Sequence, residues 1–314
     1  PCKFWSYINL KKNSSRIPGR MNYGDQELIS PVEIVNGFAK HFGNVYVSNS
    51  LCDVKENDTP SNSNECDIKN STYDNKCPTS YGCVLHLFKV SSKDVFKAVR
   101  KFKANFTAGP DRIPAFFVKD TIFCLSEPLC YLYNLIMRSS TFPGCWKTSK
   151  ITPVFKSGSK EEITNFRPIA IINNFAKIFD SILADALRSH TSSLIIDEQH
   201  GFIKGKSTCT NLCEFIQFVS DAMNNSLQVD VIFTDLSKAF DVVNIDLLCE
   251  KLNHFGLCNG LITLFKSLLA DRNQYVEYRG CKSSHFATAS GVTQGSTLGP
   301  VLFTLFINDV TKCV

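Results

Sequence analysis

Residues 231–243 read Val-Ile-Phe-Thr-Asp-Leu-Ser-Lys-Ala-Phe-Asp-Val-Val, and the interpretation of the whole chain starts from them. Three apolar residues precede Asp235, and a polar bend separates it from Phe240. A short apolar run bounded by turn-forming residues is typical of a buried strand. Such a strand would hold the Asp235 carboxylate at its end, as a magnesium-dependent phosphoryl-transfer site requires. The alternative is a core strand whose Asp235 only caps the next turn.

A second stretch, residues 290–300, reads Ser-Gly-Val-Thr-Gln-Gly-Ser-Thr-Leu-Gly-Pro. Its small residues predict a turn that opens a helix, and Pro300 is tolerated in a first helical turn. Glycines on both sides of Gln294 let the backbone approach a ligand closely. The two stretches, Phe-x-Asp-x-x-x-Ala-Phe-Asp and Gly-Val-x-Gln-Gly-Ser-x-Leu-Gly-Pro, resemble the palm of reverse transcriptases encoded by jockey-type, LINE-like non-LTR retrotransposons.

Three upstream stretches extend this resemblance. Residues 109–114 read Gly-Pro-Asp-Arg-Ile-Pro where the family has Gly-Pro-Asp-Gly-Ile-Pro, and residues 166–169 read Phe-Arg-Pro-Ile. Residues 199–208 resemble the family's Gln-His-Gly-Phe-x-x-Gly-x-Ser-Thr segment. The Gly-Lys-Ser within that segment ends like a phosphate-binding loop, but only three residues separate Gly201 from Gly205, where that loop needs four. An ATPase is therefore rejected.

The resemblance implies an α+β, right-hand fold with fingers and an incomplete palm, and without a thumb. Residues 1–85 would form a connector with a flexible Asn/Ser-rich insertion, residues 86–230 the fingers, and residues 231–314 the partial palm. The reverse transcriptase domain itself would begin near residue 140. The implied reaction is RNA-directed DNA synthesis, in which two Mg²⁺ ions, or Mn²⁺ as the alternative, assist phosphoryl transfer to a primer 3′-end.

The family's site residues carry over to the positions that match its motifs. Asp235 would be the catalytic carboxylate and a metal ligand, and the backbone of Leu236 would also face the metal. Phe240 would block a ribose 2′-hydroxyl and so select deoxynucleotides. Gln294 and Gly295 would line the nucleotide and the template strand.

Two pairs of cations complete the predicted site. The pattern over residues 151–172 predicts a β-hairpin with Lys156 on one arm and Arg167 on the other. Such a pair can hold a triphosphate, Arg through its planar fork and Lys as a point charge. The alternative is that both cations are simply solvated. The resemblance places Lys204 and Lys206 along the template.

The 314 residues include 44% hydrophobic and 20% charged residues, which is ordinary for a globular protein. The net charge of +5 is uneven, since residues 91–119 hold seven Lys or Arg against two acids and residues 147–167 hold five against two. This density favours a phosphate-facing surface, with a solvated helix face as the alternative for the first window. The expected partners are an RNA template, a DNA primer, deoxynucleoside triphosphates and the element RNA, and no membrane.

Fourteen cysteines form no Cys-x-x-Cys pair. The irregular gaps between Cys52, Cys66, Cys77 and Cys83 favour free thiols in a reducing compartment over a zinc site. The start of the chain, Pro-Cys-Lys-Phe, has neither an initiator Met nor a signal-peptide pattern. We therefore expect an intracellular piece of a longer protein, nuclear or cytoplasmic or both, and not secreted.

Apolar periodicity predicts the remaining elements. Helices are expected over residues 4–10, 31–47, 174–187, 245–255, 259–269 and 300–309. Strands are expected over residues 274–278 and 285–289. Ser91 followed by Asp94 predicts a capped helix start, and Asp241 is expected to cap the helix that begins near Asn244.

The family's other two catalytic carboxylates belong to an aromatic-x-Asp-Asp hairpin, and the sequence contains no adjacent Asp-Asp pair. We therefore expect the 314-residue chain to bind nucleic acid weakly, in a salt-dependent manner, without synthesising DNA. A group II intron or telomerase-type enzyme is the less favoured alternative within the polymerase class. A catalytically dead nucleic-acid-binding relic of a retroelement is the alternative from a different class.

Overall fold

The computed structural model describes residues 17–46 and 84–312. The helix expected over residues 4–10, the Asn/Ser-rich insertion and the four clustered cysteines lie outside these ranges. The described residues combine helices and strands, so the mixed α/β character expected from the sequence is confirmed. None of the helices in these ranges is both long and apolar enough to cross a membrane.

The helices and strands of the described residues occur in groups along the chain. The α-helices are α1 (Pro31–Gly43), α2 (Ser92–Arg100), α3 (Ala115–Asp120), α4 (Ile122–Ser139), α5 (Asn174–Thr191), α6 (Thr208–Asn224), α7 (Ile245–His254), α8 (Asn259–Leu269) and α9 (Leu298–Phe306). The strands are β1 (Met21–Tyr23), β2 (Gln26–Leu28), β3 (Thr148–Phe155), β4 (Phe166–Ile171), β5 (Arg272–Tyr278), β6 (Cys281–Lys282) and β7 (Phe286–Thr288). Short 3₁₀ turns lie at Gly144–Trp146, Ile163–Asn165 and Val310–Lys312.

The main sheet has the order β4-β3-β5-β6, and β7 also pairs with β5. Strands β3 and β4 form the predicted antiparallel hairpin, in which Pro153 faces Pro168. The amide of Lys156 donates to the carbonyl of Asn165 at 2.8 Å, and in an antiparallel ladder hydrogen-bonded pairs alternate with pairs that are not bonded. The two prolines fall on a pair that is not bonded, so their missing N–H groups remove no hydrogen bond from the hairpin.

Strand β5 runs parallel to β3, with Thr148 opposite Asn273 and Ile151 opposite Val276. The strands predicted over residues 274–278 and 285–289 are therefore confirmed as β5 and β7. This arrangement brings residues from the second half of the chain onto the hairpin.

Helix α1 covers one face of this sheet. Its Phe38 is fully buried and its ring lies 5.2 Å from that of Phe166 on β4, edge to face. Phe42 and Ile151 are buried in the same hydrophobic cluster. The apolar stripe that predicted a helix here thus packs residues of the expected connector directly against the hairpin.

A second, larger core is helical. Helices α2, α4 and α5 contribute buried side chains to it, among them Val95, Tyr133 and Phe179. The predicted cap of α2 is confirmed, because Ser91 N donates to the Asp94 carboxylate at 2.9 Å and Asp94 N donates to Ser91 Oγ at 3.4 Å. Helices α5, α7, α8 and α9 also lie where the periodicity placed them, with α9 beginning two residues earlier than predicted.

The strand predicted over residues 231–233 does not form, so that prediction is wrong. Residues 227–236 adopt no regular structure, and Ile232 and Phe233 are 88% and 87% exposed. A strand needs hydrogen bonds from a neighbouring strand, and none of the described strands pairs with this segment. The apolar run is typical of a strand, but none of the described residues supplies the neighbouring strand that it would need.

Arg112 occupies the turn position at which the family has glycine. Its φ of 59° lies in the left-handed region that glycine adopts most easily. Its amide donates to the carbonyl of Gly109 at 3.0 Å, which closes the turn. The predicted turn therefore forms with arginine, although in a conformation that is strained for a residue with a Cβ.

Candidate active site

Two segments far apart in the sequence are joined by main-chain hydrogen bonds. Val292 N donates to the carbonyl of Phe240 at 2.8 Å, and Gly291 N donates to that of Val243 at 2.8 Å. These bonds join the end of the first quoted stretch to the second. The two motifs therefore meet in the fold. The first motif makes this contact through residues 240–243, which follow Asp235 in the chain.

Gln294 binds the carboxylate of Asp241, which was expected to cap the following helix. Its Nε2 lies 2.9 and 2.8 Å from the two carboxylate oxygens of Asp241. Ser290 Oγ donates to the carbonyl of Asp241 at 2.7 Å. Asp241 does not cap the following helix, so that prediction is wrong. Asn244 is the cap, since its Oδ1 accepts from Leu247 N at 3.0 Å.

Burial governs the electrostatics of Asp241. Its side chain is only 6% exposed, and this burial raises the pKa of the carboxyl to about 6, against the opposing effects of the Gln294 hydrogen bond and the Lys238 charge. Asp241 borders a small, partly open cavity of about 10 Å³, which also contacts Tyr46 and Arg272. Such a space holds about one water molecule.

The raised pKa of Asp241 makes stability depend on pH. Between about pH 4 and pH 6 the folded protein retains a proton that the unfolded chain has lost, so rising pH destabilises the fold across this window. Asp241→Asn should remove about 2–3 kcal/mol of this decline. Urea unfolding at pH 4.5 and pH 7.5 measures it. Asp230→Asn, at an exposed position, is the control, and an unchanged decline in Asp241→Asn would contradict the assignment.

Gly291 and Gly295 allow the second motif to lie this close to its neighbours. Gly291 has φ of +89°, and a Cβ there would lie 2.7 Å from the backbone oxygens of Phe240 and Asp241. Gly295 has φ of +108°, and its Cβ would lie 2.5 Å from the carbonyl of Ala170. These glycines were expected to let a ligand approach the backbone. In the structure they let other segments of the protein's own backbone approach instead.

Gly291→Ala should therefore destabilise the fold by about 3 kcal/mol, combining a left-handed backbone with a clash against backbone atoms. Gly280→Ala is the matched control, since Gly280 has φ of +79° but nothing within 4 Å of its Cβ position. It should cost only about 1 kcal/mol. Urea unfolding compares the two, and equal losses would mean that the contact at Gly291 relaxes freely.

A buried carboxylate orients the helix that follows the second motif. Oδ2 of Asp180 on α5 accepts from Thr297 N at 2.6 Å and from Leu298 N at 3.1 Å. It thereby caps α9 together with Ser296 Oγ, which accepts from Gly299 N at 2.7 Å, since the side chain of the N-cap residue Thr297 makes no such bond. Burial raises the pKa of Asp180 to about 6, although the two amides and the Arg272 charge act in the opposite direction. Arg272 is 5% exposed, and its Nε has no partner among the described residues.

Asp235 and Leu236 take no part in the hydrogen bonds of this junction. Both are exposed, Leu236 by 62%. In the described part of the chain Asp235 makes no hydrogen bond or ion pair, and no contact joins it to Gln294. The structure thus leaves the Asp235 carboxylate open to solvent at the end of an irregular segment.

The described residues do not by themselves form a two-metal site. Within residues 17–46 and 84–312 there is no group of three or more His, Cys, Asp or Glu side chains that could hold a metal ion. The carboxylate closest to Asp235 in the first motif, Asp241, is buried and bonded to Gln294. Within that motif, the Asp235 carboxylate has no partner among the described residues, so it is the one available to bind a cation.

Phe240 packs between two other aromatic side chains. Its ring stacks on Phe303 of α9 at 4.5 Å and meets Phe202 edge to face at 5.7 Å. Phe240 is only partly buried. It therefore contributes to the edge of the helical core and still presents part of its ring to solvent.

The predicted hairpin carries one cation on each arm, with Lys156 directly after β3 and Arg167 on β4. Arg167 is directly opposite Val154, and Lys156 follows Val154 by two residues, so all three side chains share a face. Both cations are exposed. Ile151 and Ala170, which border the small cavity beside Gln294, point to the other face of the hairpin. The two cations therefore do not face the Asp241–Gln294 pair.

Lys204 and Lys206 lie in the exposed loop before α6. Lys206 Nζ donates to the carbonyl of Asp197, so it closes the loop locally. His200 anchors the same loop to α6 through Thr210 Oγ1 at 2.9 Å and Glu214 Oε2 at 3.0 Å. The loop is thus held in place while Lys204 remains exposed.

Three functional neighbours were missed from the sequence. Tyr46 reaches the Asp241 cavity from the end of α1, and its hydroxyl donates to Gln274 at 3.2 Å. Asp180 and Arg272 reach the second motif from α5 and β5. Asp180 lies beside the apolar stripe of α5 and not in it, so no signal in the sequence marked it.

The fold and these motifs define a polymerase class, and the comparisons with known proteins agree. The family described as reverse transcriptase (RNA-dependent DNA polymerase) matches residues 156–314. The match covers half of the chain, and the chain belongs to this family. Members of the family generally use divalent metal ions.

Curated relatives identify the branch of the family. The chain is 30% identical over 229 residues to the probable RNA-directed DNA polymerase from transposon BS of Drosophila melanogaster, covering 69% of the chain and 24% of the relative. It is 29% identical over 193 residues to the polymerase from mobile element jockey, and 30% over 192 residues to the probable polymerase from transposon X-element, both of the same species and each covering 58% of the chain and 20% of the relative. The chain thus resembles polymerases of jockey-like non-LTR retrotransposons and spans about a quarter or less of their length.

Proposed function

We propose that this chain forms the nucleotide-binding part of an RNA-directed DNA polymerase of a jockey-like non-LTR retrotransposon. The junction of the two motifs carries this proposal, because Val292, Gln294 and their partners at Phe240 and Asp241 join the family's signature stretches in one place. Its substrates would be deoxynucleoside triphosphates, an RNA template, which is the element RNA, and a DNA primer. It would act inside the cell, in the nucleus, the cytoplasm or both.

Each residue then has a separate task. Asp235 provides a carboxylate ligand for Mg²⁺, with Mn²⁺ as a substitute, and the Leu236 backbone lies beside it. Gln294 and Gly295 line the incoming nucleotide, with the Gln294 amide held by Asp241. Two pairs of cations would bind phosphates: Lys156 and Arg167 the triphosphate, and Lys204 and Lys206 the template. Because Lys156 and Arg167 lie on the hairpin face away from Gln294, the triphosphate would have to reach them past the edge of the hairpin.

Primer extension on an RNA template tests the proposal. A polymerase that contains this chain should extend a DNA primer, and Gln294→Ala should lower its kcat/KM for deoxynucleotides about 10–100-fold. The matched control is Gln217→Ala, an exposed amide on α6 that bonds only to Asp221. Equal activity of Gln294→Ala and the parent would contradict the assignment of Gln294.

A catalytically inactive, nucleic-acid-binding relic is the second candidate. One observation favours it, namely that the described residues assemble no metal-binding cluster. For the 314-residue chain as it stands, we propose weak nucleic-acid binding, steeply weakened by salt, and no primer extension. Extension by this chain with Mg²⁺ or Mn²⁺ would show that its own carboxylates suffice.

The role of Phe240 in sugar selection gives a separate prediction. In an active polymerase containing this chain, Phe240→Val should let ribonucleotides compete about 10–100-fold better, because a smaller side chain leaves room for a 2′-hydroxyl. Phe202→Val is the control, since Phe202 contacts the Phe240 ring and is itself exposed. Competition between ribo- and deoxynucleotides measures the effect. If discrimination between ribo- and deoxynucleotides is unchanged, Phe240 only packs against Phe303.

A further inference from the structure

An open groove lies on the surface between α2 and α4, upstream of residues 156–314. Its volume is about 480 Å³, and its apolar lining includes Phe96 and Phe123. The two rings are 5.4 Å apart, and Phe123 is 82% exposed. An aromatic ring exposed to this extent offers a face on which a flat apolar group can stack.

Cations border the groove on one ridge of α2. Lys93, Lys97 and Arg100 are spaced at i, i+4 and i+7, so they follow one another along a single helix face. Within the described residues Lys93 and Arg100 form no ion pair. Lys97 lies 3.4 Å from Asp185, yet its side chain is still 68% exposed.

The groove contains no acid to balance these charges. Its lining residues are apolar or cationic, with Lys119 on the opposite side from the α2 ridge. The neighbouring acid on α2, Asp94, is bonded to Ser91 in the helix cap. The groove therefore complements a ligand with a negative backbone and flat apolar groups.

We propose that this groove binds single-stranded nucleic acid. A base stacks on Phe123 beside Phe96, and adjacent phosphates lie against Lys93, Lys97 and Arg100. Base stacking on an exposed aromatic ring and a tracking row of cations are the two components of single-strand binding. A duplex keeps its bases paired and cannot use the ring. The site lies outside residues 156–314, and it requires no DNA synthesis.

The test is fluorescence anisotropy of the 314-residue chain with a labelled single-stranded oligouridylate of about 12 nucleotides, within the site sizes known for such grooves. Phe123→Ala should weaken binding about ten-fold. Tyr131→Ala should leave it unchanged, since Tyr131 lies on the same helix, is 76% exposed and does not line the groove. Thermal unfolding checks that both variants fold.

The charges are tested through salt. Lys93→Gln combined with Arg100→Gln should reduce the slope of log K against log salt by about 1.4, as expected for two phosphates of a single strand. Arg138→Gln, an exposed arginine at the end of α4, should not change it. Unaltered affinity in Phe123→Ala overturns the proposal and points to an apolar protein partner. An equal loss on a duplex of matched length also overturns it. Neither result bears on polymerase activity, which primer extension tests separately.

Discussion

Replacing Asp235 by alanine should abolish DNA synthesis by a polymerase that contains this chain. Its carboxylate is exposed, unpaired within the described residues and lies within the first motif. No group of three metal-binding side chains exists among those residues to substitute for it. Loss of a metal-binding carboxylate should reduce the rate at least about 1,000-fold, which corresponds to about 4 kcal/mol.

Asp230→Ala is the matched control for Asp235→Ala. Asp230 lies in the same irregular segment, is exposed, and accepts hydrogen bonds only from Gln228, at 2.9 and 3.2 Å. It should extend a primer at the parental rate. Activity retained in Asp235→Ala would transfer the catalytic role to another carboxylate, with Asp241 first, although its bonds to Gln294 would then have to break.

Asp180→Ala should be the most destabilising substitution in the described core, at about 3–5 kcal/mol. The change leaves the amides of Thr297 and Leu298 without an acceptor and removes a negative charge near buried Arg272. Removing one member of a buried charged group leaves the other uncompensated, which accounts for this magnitude. Urea unfolding at pH 7.5 measures it.

Two controls separate the causes. Asp180→Asn retains an acceptor oxygen but loses the charge, so it should cost less than Asp180→Ala. Asp185→Ala is on the same helix and breaks a partly exposed ion pair with Lys101 of 2.7 Å. It should cost no more than about 1 kcal/mol. A loss from Asp180→Ala as small as that of Asp185→Ala would mean that water replaces the cap of α9.

Sequence periodicity was sufficient where an element is specified by its own residues. The apolar stripe of α1, the Ser91–Asp94 cap and the β3–β4 hairpin all lie where predicted. A helix satisfies its backbone hydrogen bonds internally, and a hairpin pairs with a neighbour in sequence. Such elements can therefore be recognised from a short stretch of the chain.

The first motif shows where this approach fails. Residues 231–233 have the apolar run of a buried strand, but Ile232 and Phe233 are exposed because no described strand pairs with them. The turn at Arg112 shows the opposite case. There the local rule favoured glycine, and the hydrogen bond to Gly109 keeps the turn closed with arginine at φ of 59°.

The sequence by itself determined the family, the positions of α1, α2, α5, α7, α8 and α9 and of the β3–β4 hairpin, and which residues the motifs offer for chemistry. Only the tertiary structure decided that Gln294 binds Asp241 and that Asp180 caps α9. Both contacts join residues that are distant in the chain. Nothing in the sequence marks which donors a carboxylate will bind, because folding brings those donors to it and excludes water. Burial is what raises the pKa of both groups and makes these two partners specific.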